Sequence, residues 1–71
     1  MNRLYYKFRV VDGWEEFHVA ADRREVVRND ALSKACRTDS PTHEAWKAEC
    51  MAEIKTYNMA LVPSGKGERM K

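Results

Sequence analysis

The sequence lacks the short motifs that mark the common classes of enzyme. It contains no HExxH, no glycine-rich phosphate loop and no G-x-S-x-G. A chain of 71 residues also has little volume for a pocket that could place a general base beside a substrate. We therefore predict that the protein is not an enzyme. A small endoribonuclease that uses His18 or His43 with Tyr and Arg side chains is the catalytic alternative.

Closely spaced metal ligands are also absent. The candidate ligands are His18, Cys36, His43 and Cys50. No two of them have a spacing such as C-x2-C or H-x3-H. His43 and Cys50 share a predicted helix face but stand two turns apart, about 10 Å along the axis, which is too far for one ion. We therefore expect no metal ion and no cofactor, and we expect both cysteines to be free thiols because no secretory signal accompanies them.

Long apolar runs are missing from the chain. No stretch approaches the roughly 20 apolar residues that span a bilayer, and residues 1–8, MNRLYYKF, lack the apolar core of a signal peptide. We therefore predict a cytoplasmic protein with no membrane contact. Because 44% of the residues are hydrophobic, the chain is too apolar for a disordered protein and should fold.

Most of the chain has no excess of basic over acidic residues. Residues 1–62 hold ten basic and ten acidic residues, so the net charge of +2 comes from residues 63–71. A neutral body lacks the positive surface that nonspecific phosphate binding requires. Nucleic acid is therefore the alternative partner, after another protein. Its predicted contacts are Arg23, Arg24, Arg28, Lys34, Arg37, Lys66 and Arg69.

The N-terminal residues 3–20 predict a β-hairpin. RLYYKFRVV and WEEFHVA are separated by Asp12 and Gly13, a dipeptide that favours a type I′ turn. A loop of two residues places each residue of the first strand opposite a defined residue of the second. The predicted pairs are Val11 with Trp14, Arg9 with Glu16, Phe8 with Phe17, Lys7 with His18 and Tyr6 with Val19.

The stretch 40–62 predicts a long amphipathic helix. Its apolar residues fall on one face, and Ser40 followed by Pro41 is typical of a helix start. Pro63 is expected to end it. The predicted face holds Trp46, Cys50, Ile54, Tyr57 and Leu61, with His43 beside them. This face should cover the aromatic side of the hairpin, since an isolated hairpin is only marginally stable.

Residues 22–37 predict a first helix. Asp22 followed three residues later by Glu25 forms a capping box, and the alanines that follow favour helix. The alternative is a third strand formed by REVVR, residues 24–28. The predicted fold is therefore an α+β domain over residues 1–62 in the order ββαα, with the second helix packed on the hairpin. Residues 63–71 are predicted to form a disordered basic tail.

Protein binding is the function that the sequence favours. Hairpin edges can pair with other chains, and Trp, Tyr and Arg are frequent interface anchors. The predicted protein-binding residues are Tyr5, Val11, Trp14, Arg24 and Arg28. We expect a small inhibitor or regulator that docks on another protein, and a homodimer because the core of so short a chain is small.

Overall fold

The fold is α+β, as predicted, but its order of elements differs from ββαα. The computed structural model describes residues 3–63. In chain order the elements are β1 (Tyr5–Val11), β2 (Trp14–Ala20), α1 (Arg23–Val27), β3 (Leu32–Arg37), α2 (His43–Thr56) and β4 (Ala60–Leu61). The four strands form one sheet in the order β3-β2-β1-β4, in which β4 runs parallel to β1 and the other neighbours are antiparallel.

The predicted hairpin is confirmed in its turn and register, although β1 begins at Tyr5 and not at residue 3. All five predicted cross-strand pairs are present, from Tyr6 opposite Val19 to Val11 opposite Trp14. The turn residues Asp12 and Gly13 both have positive φ, 52° and 82°, as a type I′ turn requires. Because the loop has two residues, the register follows from the position of the turn alone.

Replacing Gly13 with alanine is expected to destabilise the fold by about 1–2 kcal/mol, because an L side chain is strained in the left-handed region. A Cβ atom at this position would meet no atom closer than 4.0 Å, so the cost comes from the backbone. Chemical denaturation measures the change. Asp12→Asn, which keeps the turn preference, should alter stability by less than about 0.5 kcal/mol. Equal effects of the two substitutions would contradict this account.

The first predicted helix is wrong over most of its length. Asp22 does cap a helix, since its Oδ1 accepts a hydrogen bond from the Arg24 amide at 2.9 Å, but α1 ends at Val27. Asn29 then adopts a left-handed φ of 66°, which turns the chain. Residues 32–37 become β3 because they hydrogen-bond to the second edge of β2, and this tertiary pairing outweighs their helix propensity.

The alternative third strand at residues 24–28 is also wrong. Four of its five residues lie in α1, and Arg28 is the residue that caps it. A third strand does exist, but it is formed by Leu32–Arg37.

The long predicted helix is confirmed in its centre and wrong at both ends. Its N-cap is Thr42, and Ser40 instead accepts a hydrogen bond from the Thr42 amide through its Oγ at 3.1 Å. The helix ends at Thr56, and Asn58 has a left-handed φ of 51°. Tyr57 and Leu61 therefore leave the predicted stripe and are 61% and 63% exposed.

The chain leaves α2 early because β1 has a free edge that the following residues can join. The amide of Ala60 donates to the carbonyl of Leu4 at 2.9 Å, and the amide of Val62 donates to the carbonyl of Tyr6 at 2.8 Å. This short parallel pairing gives backbone carbonyl groups at the edge of β1 hydrogen-bond partners. Met59 and Val62, on either side of β4, are buried.

One face of the sheet, called the helix face, packs against α2. The buried centre of this contact is formed by Phe17 of β2, Cys50 of α2 and Met59, which follows α2. The partly buried residues around them are Leu4, Tyr6, Phe8, Val19, Trp46 and Ile54. The rings of Phe8 and Phe17 stack with centroids 4.9 Å apart. Coverage of the aromatic side of the hairpin by the long helix is therefore confirmed.

The other side of the sheet, called the opposite face, is covered by α1 at one end. Val26 of α1 is fully buried, and Lys7 on this face donates from its Nζ to the carbonyl of Val27 at 3.4 Å. Since α1 follows directly after Ala20, it lies at the end of β2 remote from Trp14. Among residues 3–63, no element covers the end of this face near the hairpin turn.

Candidate protein-binding surface

The uncovered end of the opposite face forms a patch built by three strands. Val11, Trp14 and Arg37 are cross-strand neighbours in one row. The next row places Arg9 and Ala35 on either side of Glu16. We call the residues Arg9, Val11, Trp14, Ala35 and Arg37 the open patch.

Trp14 is the largest apolar side chain of the open patch and is 43% exposed. The Arg37 guanidinium lies 5.6 Å from its ring centroid, a cation–π contact that restrains the ring. Beside it is a hollow of about 430 Å³. The hollow is lined by Trp14, Ala35, Cys36, Arg37, Asp39, Ser40 and Pro41. Because Ala35 has only a methyl group, space remains beside the indole.

The charged groups of the open patch are held in place by neighbouring carboxylates. Arg9 Nε donates to Glu16 Oε1 at 2.7 Å, and His18 Nε2 lies 2.8 Å from the same oxygen. The hydrogen bond from Arg9 has the larger effect in lowering the pKa of Glu16, and the one from His18 lowers it further. Arg37 binds Asp39 at 3.1 Å and lowers the pKa of that carboxyl. Both carboxylates therefore stay ionised near neutral pH.

The predicted protein-binding residues lie in three places. Val11 and Trp14 lie together in the open patch, whereas Tyr5 lies at the far end of β1, beside Ala60 of β4. Arg24 and Arg28 are exposed at α1 and lie 3.7 Å from Asp22 and 2.8 Å from Asp30 respectively. The structure thus gathers two of the five predicted residues into one surface.

The five predicted nucleic-acid contacts that lie in residues 3–63 do not form one continuous row. Arg23 and Arg24 lie in α1, whereas Lys34 and Arg37 lie in β3. Lys34 points to the helix face, where its Nζ donates to Glu53 at 2.6 Å, and Arg37 points to the opposite face. Lys66 and Arg69, with most of the predicted tail, lie outside the described residues.

The histidines and cysteines do not converge. Within residues 3–63, no group of three or more His, Cys, Asp or Glu side chains is placed to hold a metal ion. Cys36 and Cys50 are both free thiols. His43 instead binds the buried Glu15 through its Nε2 at 2.6 Å, and His18 is buried beside Glu16.

Arg9 and Ala35 are the members of the open patch that the sequence did not single out. Arg9 was placed on the same side as Trp14 by the hairpin register, so its role could have been inferred. Ala35 had no such signal, because its place in the patch depends on β3, which was predicted as helix. Arg37 was identified only as a phosphate contact.

The sequence matches no known protein family, and neither the curated proteins nor the solved structures provide a significant match. Among residues 3–63, no helix is long and apolar enough to cross a membrane.

Proposed function

We propose that the protein is a non-catalytic binding module that docks on another protein through the open patch. The observation that carries the proposal is a half-exposed tryptophan, restrained by Arg37, beside a hollow that the small Ala35 side chain leaves open. Tryptophan and arginine are the residues that contribute most to binding when a partner buries them. Their rigid placement on a sheet reduces the entropy lost on docking.

A small protein that docks in this way is suited to act as an inhibitor or regulator. A chain of 71 residues that binds through one surface can act by covering a surface of its partner. A cytoplasmic location and a homodimer remain predictions of the sequence. Nucleic-acid binding has less support, since most of its predicted contacts that lie in residues 3–63 are paired with carboxylates.

Replacing Trp14 with alanine is expected to weaken binding of the partner by at least about 30-fold, equivalent to about 2 kcal/mol, as for an interface anchor. Affinity purification from the native cell identifies the partner of the wild-type protein. Titration with this partner then compares the affinities of the wild-type protein and the variant. Tyr57→Ala is the matched control, because Tyr57 is also a largely exposed aromatic residue but lies at the far end of α2. Equal losses for both variants would refute the proposal, as would a wild-type protein that retains only nucleic acid.

A further inference from the structure

The strand β3 forms a free edge of the sheet. Among residues 3–63, its one strand neighbour is β2. The amide of Thr38 donates to the carbonyl of Gly13 at 2.9 Å, so Thr38 and, by alternation, Cys36 direct their backbone groups toward β2. The N–H and C=O groups of Ala35 and the N–H group of Arg37 therefore point away from the sheet. These groups can hydrogen-bond to a further strand.

The sequence of β3 does little to prevent such pairing. Edge strands are commonly protected by proline or by free lysine side chains. The strand Leu32–Arg37 contains no proline. Its one lysine, Lys34, donates from Nζ to Glu53 Oε2 at 2.6 Å, and Arg37 binds Asp39. Both long charged side chains of β3 are therefore already bound within the chain.

The two ends of β3 are complementary to each other. The hollow beside Trp14 lies at the C-terminal end of the strand. At its N-terminal end, the apolar residue Leu32 is 56% exposed. A register shift between Phe17 and His18 breaks the regular alternation, so Leu32 lies opposite His18 and shares the face of Trp14. The same face of β3 therefore presents an exposed leucine at one end and an open hollow at the other.

We infer that two copies of the chain pair antiparallel along β3 and form a symmetric dimer, in which Leu32 of each copy enters the hollow beside Trp14 of the other. The inference does not depend on the proposed function, since it concerns this protein alone. Antiparallel pairing places the start of one β3 beside the end of the other. It therefore fills both hollows at once, as the self-complementary interface of a twofold dimer requires. The two four-stranded sheets then become continuous.

The register that fits best is centred on Ala35. The Ala35 residues of the two copies then exchange backbone hydrogen bonds. Leu32 of the second copy lies beside Arg37 and Asp39, which line the hollow. A shift by two residues in one direction would place Lys34 opposite Lys34 of the second copy, and like charges in that position are destabilising. A shift in the other direction would pair a shorter part of β3.

The test is light scattering and NMR of the whole protein from micromolar to millimolar concentration. Light scattering is expected to show a dimer at the upper end of this range. In a mixture of labelled and unlabelled protein, nuclear Overhauser effects are expected between the Leu32 methyl groups of one copy and the Trp14 indole of the other. Within one copy, Trp14 lies opposite Arg37, which is about 16 Å along the strand from Leu32 and too far for this effect.

Two leucine variants provide a matched comparison. Leu32 and Leu61 are 56% and 63% exposed, but Leu61 lies in β4 at the other edge of the sheet. Leu32→Asn should weaken dimerisation by at least about tenfold, because each dimer loses two buried leucine side chains. Leu61→Asn should change it by less than about twofold. Ala35→Pro removes an N–H group that points away from β2, so it should also weaken the dimer while the fold is kept. The spectra show whether each variant is folded.

A protein that is monomeric at millimolar concentration would overturn the inference. So would a dimer without the contact between Leu32 and Trp14, or equal effects of Leu32→Asn and Leu61→Asn. The result is also separable from the proposed function. If the protein is a monomer and Trp14→Ala loses its partner protein, docking through the open patch stands and the dimer is wrong. If the dimer forms and Trp14→Ala keeps the partner protein, the dimer stands and docking through the open patch is wrong.

Discussion

Replacing Phe17 with alanine is expected to lower the free energy of unfolding by about 3–5 kcal/mol, the usual cost of removing a buried phenylalanine. Phe17 has no exposed surface, stacks on Phe8 and lies at the centre of the cluster beneath α2. At about 0.05–0.15 kcal/mol per residue, a chain of this length has a total stability of only roughly 4–11 kcal/mol. The variant should therefore be largely unfolded or have a strongly reduced melting temperature.

Denaturation by urea, followed by circular dichroism, measures this effect. Tyr57→Ala is the control, because Tyr57 is 61% exposed and removal of its ring should change stability by less than about 0.5 kcal/mol. A loss below about 1 kcal/mol for Phe17→Ala would mean that α2 does not close over the hairpin as described.

Glu15→Gln is expected to destabilise the protein by about 2 kcal/mol near neutral pH, since hydrogen bonds to a charged group contribute about 1.5–3 kcal/mol. The Glu15 side chain is 9% exposed. It accepts hydrogen bonds from His43 Nε2 at 2.6 Å and from Lys47 Nζ at 2.8 Å. These contacts tie the first turns of α2 to β2. Glu49→Gln, on the exposed side of α2, is the matched control and should have little effect.

The effect of Glu15→Gln should disappear in acid. Burial alone would raise the pKa of Glu15, but the hydrogen bonds from Lys47 and His43 outweigh it and hold the pKa below the ordinary value of 4.5. A carboxyl with a lowered pKa in the folded state stabilises the protein above its ordinary pKa, and this contribution is lost as the pH falls through the folded value. The difference in the free energy of unfolding between wild type and Glu15→Gln should therefore reach its full size at about pH 7 and be small at about pH 3.

Urea denaturation at several pH values checks this expectation. A difference between wild type and Glu15→Gln that stays constant down to about pH 3 would show that the charge of Glu15 is not what binds α2 to the sheet. Folding of the variant is not at risk at neutral pH if the total stability is in the range given above.

The hairpin illustrates what local sequence can specify. Asp12 and Gly13 determine the turn, a turn of two residues fixes the register, and alternation then assigns every side chain to a face. The pairing of Arg9 with Glu16 and the stacking of Phe8 on Phe17 both follow. In the same way, the period of Trp46, Cys50 and Ile54 specified the buried side of α2.

The segment from Leu32 to Arg37 illustrates what local sequence cannot specify. LSKACR has no strong preference for a strand, and the capping box before it favours helix. It becomes β3 because β2 offers an unpaired edge, and the hydrogen bonds gained there depend on a strand more than ten residues earlier in the chain. The end of α2 has the same cause, since Ala60 and Leu61 pair with the free edge of β1.

By itself, the sequence determined the hairpin with its register, the core of the long helix and the α+β class, because each depends on residues close together in the chain. The tertiary structure alone decided the third and fourth strands, since free sheet edges recruit segments whose own preference is weak. It therefore also decided the open patch, in which Ala35 and Arg37 join Trp14 only after β3 has paired with β2. Trp14 was visible in the sequence as a candidate anchor, but the hollow beside it required the fold.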